Sequence, residues 1–137
     1  MRSTEPPAKA RPLKRPSQAR AKVTVQAIFD AFVRIWQRDG WQRVTTRAVA
    51  LETGIAVGTL YDYFPNKTAL HSGYVRYCIE SLIQRVEEQA VEPVDIDWRQ
   101  RIHRLLQIAC GADRSGLPWF HPDMLDLEPS IAELKHQ

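Results

Sequence analysis

The chain has 137 residues, 44% of them hydrophobic, which is enough for a core of about one domain and excludes disorder throughout. No apolar run approaches the ~20 residues that span a bilayer, and the basic N-terminus lacks the apolar stretch of a secretory signal. We therefore expect a cytoplasmic protein with no membrane partner. Residues 1–76 carry 13 Lys and Arg against five acids, whereas residues 77–137 carry six against 11. The basic half points to a polyanionic partner, which composition leaves open between DNA, RNA and lipid.

Residues 1–17 alternate prolines with basic residues and cannot bury enough apolar area to offset their ordering entropy. We expect a disordered basic arm that either contacts phosphates or only solubilises the chain. Ser17 is then predicted to cap a first helix, which Gly40 ends. Apolar side chains recur along this helix at spacings of three and four: Ala21, Val25, Ile28, Phe29, Phe32, Ile35 and Trp36.

Two short helices separated by a glycine turn come next. Thr45 is predicted to cap the first of them and Gly54 to end it. Its inward side chains are predicted to be Ala48, Val49 and Leu51. The second helix, Val57 to Phe64, ends before Pro65, because proline disfavours helix in the residue before it. This is the skeleton of a helix-turn-helix at Thr45 to Phe64.

The rest of the chain also has helical periodicity. Asn66 is predicted to cap a long helix that reaches Glu87-Glu88, and Trp98, Ile102, Leu105, Leu106 and Ala109 form a further stripe. A loop follows from Ser115 to Pro122. A last pattern uses Leu125, Leu127, Ile131 and Leu134, with Pro129 interrupting it. No strand-like alternation of useful length occurs, so the predicted fold is all-α. The predicted regions are an arm (1–17), a three-helix DNA-binding head (18–65) and a helical regulatory domain (66–137).

Residues about 18 to 72 resemble the TetR family of bacterial transcriptional regulators. The matching positions are the Thr45-Thr46-Arg47 opening, the Ala50-x-x-x-Gly54 turn, and Gly58-Thr59-Leu60-Tyr61-x-Tyr63-Phe64-x-Asn66-Lys67-x-x-Leu70. The first helix, with Gly40 and Trp41 after it, also fits the family. A bare helix-turn-helix pattern is weak evidence, whereas this many positions in order are specific.

The same residues suggest how DNA would be contacted. Arg47 is the best candidate for a base contact, because a guanidinium can bind guanine O6 and N7 together. Asp62 either accepts from cytosine N4 or points outward. Phosphates are the expected targets of the hydroxyl and ammonium groups of Thr45, Thr46, Tyr61, Tyr63 and Lys67. Thr59 offers either its hydroxyl to a phosphate or its methyl group to thymine. Val57 and Gly58 are small enough to approach the bases. Gly58 lowers the stability of a helix relative to alanine, and a site that needs close approach of its backbone would explain that cost. Structural alternatives remain open: Thr45 as a cap, the two tyrosines as core edges, and Lys67 as a solvated charge.

The second half offers a weaker site. Aromatic and sulfur side chains there could line an effector pocket or simply form a second core: Tyr77, Cys78, Trp98, Cys110, Trp119 and Phe120. Cys78 and Cys110 are expected to be small buried side chains, with a redox pair as the alternative. The four histidines show no metal-ligand spacing, and no catalytic motif is present. We therefore expect no metal, no cofactor and no enzymatic activity.

The resemblance implies a homodimeric repressor that binds a near-palindromic operator in double-stranded DNA and is released by a small-molecule effector. Members of the family usually run longer and end in two helices that pack across a dimer interface. This sequence stops at Gln137, so we expect the terminal pair to be missing by truncation, although a naturally short chain is the alternative. A different class of function is also open, a protein-interaction module that keeps the helix-turn-helix as scaffold.

Overall fold

A computed structural model describes residues 11–111, 114 and 116–129, with the side chains of residues 11–16 left aside. All regular elements in these ranges are helical: α1 (Arg11–Asp39), a 3-10 turn (Trp41–Arg43), α2 (Thr46–Thr53), α3 (Val57–Tyr63), α4 (Lys67–Val86), a π-helical turn (Glu87–Val91), α5 (Trp98–Ala109) and α6 (Asp123–Leu127). The predicted all-α fold, a helix-turn-helix head followed by further helices, is confirmed. Residues 1–10 of the predicted arm, Ser115, and Ile131 and Leu134 of the last predicted helix lie outside the described residues.

The chain divides into two compact units, Met1–Lys67 and Thr68–Gln137. We call them the first unit and the second unit. Among the described residues, no helix combines the length and the apolar character that a membrane span requires.

Helix α1 forms one side of the core of the first unit. It begins at Arg11, earlier than the predicted cap at Ser17, and so includes Pro12 and Pro16. Pro12 is tolerated because it lies in the first turn, where the N–H groups have no partner within the helix, whereas Pro16 lies one turn later and leaves one backbone hydrogen bond unmade. Its buried side chains are Ile28, Phe29, Ala31, Phe32, Ile35 and Trp36. They meet the predicted three-and-four spacing, and the stripe is buried from Ile28 onward.

Helix α2 packs on this stripe through Val49 and Ala50, which are buried. The prediction that Leu51 faces inward is wrong, because its side chain is 82% exposed. At 3.6 residues per turn, Leu51 lies about 150° around the helix from the midpoint of Val49 and Ala50. Leu51 therefore lies on the side of α2 that faces away from the buried pair, and it cannot face inward together with them.

The second unit has its own buried side chains on α4, among them Tyr74, Val75 and Cys78. His71 is 1% exposed, and its Nε2 donates to the carbonyl oxygen of Met124 at 2.9 Å. Tyr74 donates its phenol hydrogen to the carbonyl oxygen of Trp119. These two bonds tie α6 and the segment before it to α4.

Two arginines of α5 hold the end of α4. Arg101 donates to the carbonyl oxygens of Ala90 at 3.0 Å and Val91 at 2.7 Å, and to a third carbonyl at Pro93. Arg104 donates to the carbonyl oxygen of Gln89 at 3.1 Å. These carbonyls belong to the π-helical turn and the residues after it, where helical partners run out. The guanidinium groups satisfy them instead.

The predicted stripe on α5 exists but is not covered by the described residues. Trp98 is 64% exposed and Leu106 is 55% exposed, whereas Ile108 is buried. Of the two cysteines, Cys78 is buried as expected, but the expectation is wrong for Cys110, which is exposed just after the last residue of α5. Both are free thiols.

Candidate nucleic-acid interface

The first part of the candidate interface is the start of α2. Thr45 has extended backbone angles, and its hydroxyl accepts from the backbone N–H of Ala48 at 3.0 Å. The predicted cap is confirmed, and it satisfies one of the N–H groups that a helix start leaves open. Arg47, in the first turn, is exposed, and Thr46 is half-buried. The guanidinium of Arg47 is therefore presented to solvent beside a capped helix start.

The glycine turn between α2 and α3 fixes the second part. Gly54 has φ +83°, and its N–H donates to the carbonyl of Ala50 at 2.9 Å. The N–H of Ile55 donates to the same carbonyl at 3.1 Å. Glycine adopts this left-handed conformation without a steric penalty, so it ends α2 and lets the chain turn into α3.

Helix α3 is anchored by two residues four positions apart. Leu60 is fully buried, and the ring of Phe64 lies 5.6 Å from that of Phe29 on α1. Leu60 and Phe64 thus form the inward side of this segment. The other predicted interface residues of α3 remain accessible: Gly58, Thr59 and Asp62 are exposed, and Val57 and Tyr63 are half-buried.

A tyrosine and a threonine link the two helices. The hydroxyl of Tyr61 lies 3.4 Å from the hydroxyl of Thr46, and Tyr61 is 47% exposed. A phenol in this position is oriented by its neighbour and still reaches solvent. The structure therefore brings these two predicted phosphate ligands together across the α2–α3 pair.

Lys67, another predicted phosphate ligand, is held inside the first unit. Its Nζ donates to the carbonyl oxygen of Trp41 at 2.8 Å and lies 3.8 Å from the centroid of the Trp41 ring. Partial burial lowers the pKa of Lys67. The Trp41 ring packs in turn against Trp36 at 5.1 Å. The ammonium thus joins the last residue of the first unit to the 3-10 turn after α1.

A cluster of three charged side chains that the sequence did not suggest also positions α2. Glu52 Oε1 lies 3.2 Å from Arg34 Nε and 3.4 Å from Arg38 Nη1 on α1. Hydrogen bonds from the two arginines lower the pKa of Glu52. The i, i+4 spacing of the arginines could have indicated an anion-binding face on α1, but no spacing rule identifies Glu52 as its partner.

The six residues predicted to line an effector pocket lie in the second unit. Cys78 Sγ is 3.8 Å from the carbonyl oxygen of Trp119, and burial raises the pKa of this thiol. Tyr77 packs on Tyr74 with ring centroids 6.2 Å apart. Phe120 is half-buried, whereas Trp98 and Cys110 are exposed. The structure thus brings Cys78 and Trp119 together.

A cleft of about 180 Å³ elsewhere in the second unit has a different lining: Ser81, Gln84, Arg85, Glu88, Gly116 and Leu117. Within the described ranges, no three His, Cys, Asp or Glu side chains come together as metal ligands would.

Comparison with known sequences identifies the first unit. Residues 28–72 match the family described as bacterial regulatory proteins, tetR family. Curated relatives named nucleoid occlusion factor SlmA, from Salmonella typhi and Escherichia coli O9:H4, are 33% identical over 79 residues. The match covers 58% of this chain and 40% of each relative. The chain therefore spans about two fifths of the length of the curated relatives it matches.

Solved structures agree. A TetR-family transcriptional regulator from Streptomyces coelicolor superposes with a TM-score of 0.59 at 25% identity, over 80% of this chain and 63% of that one. A TetR-family regulator from Haemophilus influenzae gives a TM-score of 0.60 at 19% identity, over 84% and 58%, which supports the fold alone. The motif, the helix order and these likenesses together identify residues 28–72 as a domain of the tetR family, which is described as a family of bacterial regulatory proteins.

Proposed function

We propose that the chain is a sequence-specific DNA-binding transcriptional regulator, with α3 and the start of α2 facing the major groove. The groove admits one helix, and base edges are read by side chains on its exposed face. Gly58, Thr59 and Asp62 share that face of α3, because they are three and four residues apart. Arg47, in the first turn of α2, is exposed as well.

Gly58 is the observation that carries the proposal. A helical glycine destabilises a helix by roughly 0.5–1 kcal/mol relative to alanine. Gly40 and Gly54 have positive φ and are needed for turns, but Gly58 has no such angle. A Cβ built on Gly58 would meet no atom within 4 Å. Nothing in the described chain requires this glycine, which supports close approach by a ligand from outside, such as the edges of DNA bases.

Phosphate contacts would come from the groups around this face. Thr45, Thr46 and Tyr61 place hydroxyls beside the start of α2, where backbone N–H groups also favour anions. Tyr63 is half-buried and can contribute its phenol. Lys67 would reach a phosphate only by exchanging its bond to the Trp41 carbonyl, so we assign it first to that contact within the first unit.

The regulatory mechanism extends the proposal. One recognition helix reads only a half-site, so useful specificity requires two copies on a near-palindromic operator in duplex DNA. We propose a cytoplasmic homodimer that represses by occupying the operator and is released by a small-molecule effector bound in the second unit. Four of the six predicted pocket residues support this role by their burial, since Cys78 is buried and Tyr77, Trp119 and Phe120 are half-buried. A protein-interaction module remains the alternative function.

Selection of bound oligonucleotides from a random pool tests the proposal. We expect a motif with two-fold symmetry. Arg47→Ala should relax preference at one position per half-site by about 1–3 kcal/mol, or roughly 5- to 150-fold. Gln37→Ala, at an exposed position on α1, is the matched control and should select the same motif. Equal binding to selected and random duplexes at physiological salt would contradict DNA reading, and a stable protein partner in its place would favour the interaction module.

Gly58→Ala gives a second test with two readouts of opposite sign. The methyl group enters open space, so thermal stability should rise by roughly 0.5–1 kcal/mol, or about 2–4 °C. Affinity for the selected duplex should fall about tenfold or more, equivalent to at least about 1.4 kcal/mol. A more stable variant that binds DNA with unchanged affinity would show that α3 does not approach the bases at this point.

A further inference from the structure

Helix α2 meets α1 through contacts of two kinds. Val49 and Ala50 are buried, but burial of apolar surface is non-directional. Two small side chains can therefore hold this eight-residue helix against α1 without fixing its rotation about its own axis. Glu52 adds a directional contact, because its carboxylate accepts hydrogen bonds from Arg34 and Arg38 on α1. The rotation of α2 is thus set by a polar contact as well as by the buried pair.

This polar contact is a network rather than a single ion pair. Arg34 Nε and Arg38 Nη1 lie 3.2 Å and 3.4 Å from the same oxygen, Oε1 of Glu52. The two arginines are four positions apart and so stand on one face of α1. Arg38 also meets Asp39 at 3.0 Å, and the side chain of Glu52 is only 26% exposed. Isolated surface ion pairs contribute little, whereas several charges in a network hold a defined geometry.

The rotation of α2 decides where Arg47 lies. At about 100° per residue, Glu52 lies about 110° to one side of the midpoint between Val49 and Ala50, and Arg47 lies about 110° to the other side. Any rotation of the helix therefore moves both side chains. A rotation of about 10° displaces a group about 6 Å from the axis by about 1 Å. A group that recognises a ligand must be held within about 0.5 Å of its productive position.

We propose that Glu52 is a positioning residue for base reading: held by Arg34 and Arg38, it fixes the rotation of α2 and thereby the placement of the Arg47 guanidinium in the major groove. The inference rests on the proposed function, because the placement of Arg47 matters only if Arg47 reads a base. Glu52 acts through Arg47 and not by touching DNA, since the two lie on opposite sides of the buried pair. Loss of Glu52 should therefore weaken discrimination between bases.

The experiment uses Glu52→Gln in the full chain, which keeps the size of the side chain and removes its charge. The base pair that Arg47 reads is first identified from the selections with wild type and Arg47→Ala. The measurement is the ratio of affinities for the selected duplex and for a duplex changed at that base pair. We expect the ratio to fall about three- to tenfold, part of the loss that follows removal of the guanidinium itself. Affinity for the changed duplex should not fall, because the variant carries one negative charge fewer.

The double variant Arg47→Ala with Glu52→Gln separates positioning from a merely structural role. If Glu52 acts through Arg47, its substitution should change the ratio no further once Arg47 is absent. A purely structural contribution would lower the ratio by the same factor in both backgrounds, and that outcome would overturn the inference. The comparison holds even if Glu52→Gln also shifts the midpoint of urea unfolding, because the shift is common to both backgrounds.

Asp30→Asn is the matched control for charge. Asp30 is an exposed acid on α1 whose Oδ1 accepts from Gln26 Nε2 on the same helix at 3.0 Å. The substitution changes the net charge equally and should leave the ratio at its wild-type value. An equal decrease in this control, or an unchanged ratio in Glu52→Gln, would overturn the inference while selective binding by wild type still upholds the proposed function. If wild type binds all duplexes equally, the proposed function fails and the inference fails with it.

Discussion

The two units of the chain treat their large apolar side chains differently. In the first unit only three of those described are exposed, Val23, Leu51 and Tyr61. In the second unit eleven are exposed: Ile79, Leu82, Ile83, Val91, Val94, Trp98, Ile102, Leu105, Leu106, Leu125 and Leu127. The first unit is also where most of the family match lies, at residues 28–72.

A helical stripe in a sequence predicts that one face of the helix is apolar. It does not determine whether other parts of the protein cover that face. Period-3.6 spacing identifies both the α1 stripe and the α5 stripe as apolar faces. Only the α1 stripe is covered within its own unit, with Phe32 fully buried, whereas Ile102 on α5 is 47% exposed. The stability of the first unit should therefore depend on its stripe far more than that of the second unit does.

The largest effect should come from Phe32→Ala in the first unit. Phe32 is fully buried, and its ring packs 5.8 Å from that of Trp36. Removing the ring should lower the free energy of unfolding by about 3–5 kcal/mol, because transfer energy is forfeited and a cavity is left behind. Urea unfolding followed by circular dichroism measures it. Val23→Ala on the same helix is the control and should stay within about 0.5 kcal/mol. Similar decreases for the two variants would show that the buried side chains of α1 stabilise the first unit no more than an exposed one does.

A matched isoleucine pair on α5 tests the second unit. Ile108→Ala, at a side chain 4% exposed, should cost about 2–4 kcal/mol, whereas Ile102→Ala should cost less than about 1 kcal/mol. The substitution is identical, so only coverage differs. Urea unfolding at two protein concentrations provides the measurement. Equal decreases at both positions would show that the α5 stripe is covered in solution, and the contrast between the units would disappear.

Much of the fold could be predicted from the sequence because the residues that begin and end helices act locally. Thr45 caps α2, Gly40 and Gly54 end helices with positive φ, and Pro65 follows the end of α3. Features that depend on tertiary packing were missed. Leu51 points to solvent because it lies on the opposite side of α2 from the buried Val49 and Ala50, and α1 begins at Arg11, before the predicted cap at Ser17.

The candidate interface was predictable as a set of residue types and less so as a set of contacts. Arg47, Thr59 and Asp62 are accessible, as groups that meet DNA must be. No local rule shows that Lys67 lies on the ring of Trp41, because 26 residues separate them in the chain. The partnership of Glu52 with Arg34 is likewise a product of how α2 lies on α1.

The arginine contacts at the end of α4 have a mechanical consequence. Arg101 and Arg104 both lie on α5, and together they bind the carbonyl oxygens of four residues: Gln89, Ala90, Val91 and Pro93. Turning or sliding α5 would break several charge-assisted hydrogen bonds at once. We therefore expect small displacements of α5 to carry the π-helical turn with them, because these hydrogen bonds couple the two segments.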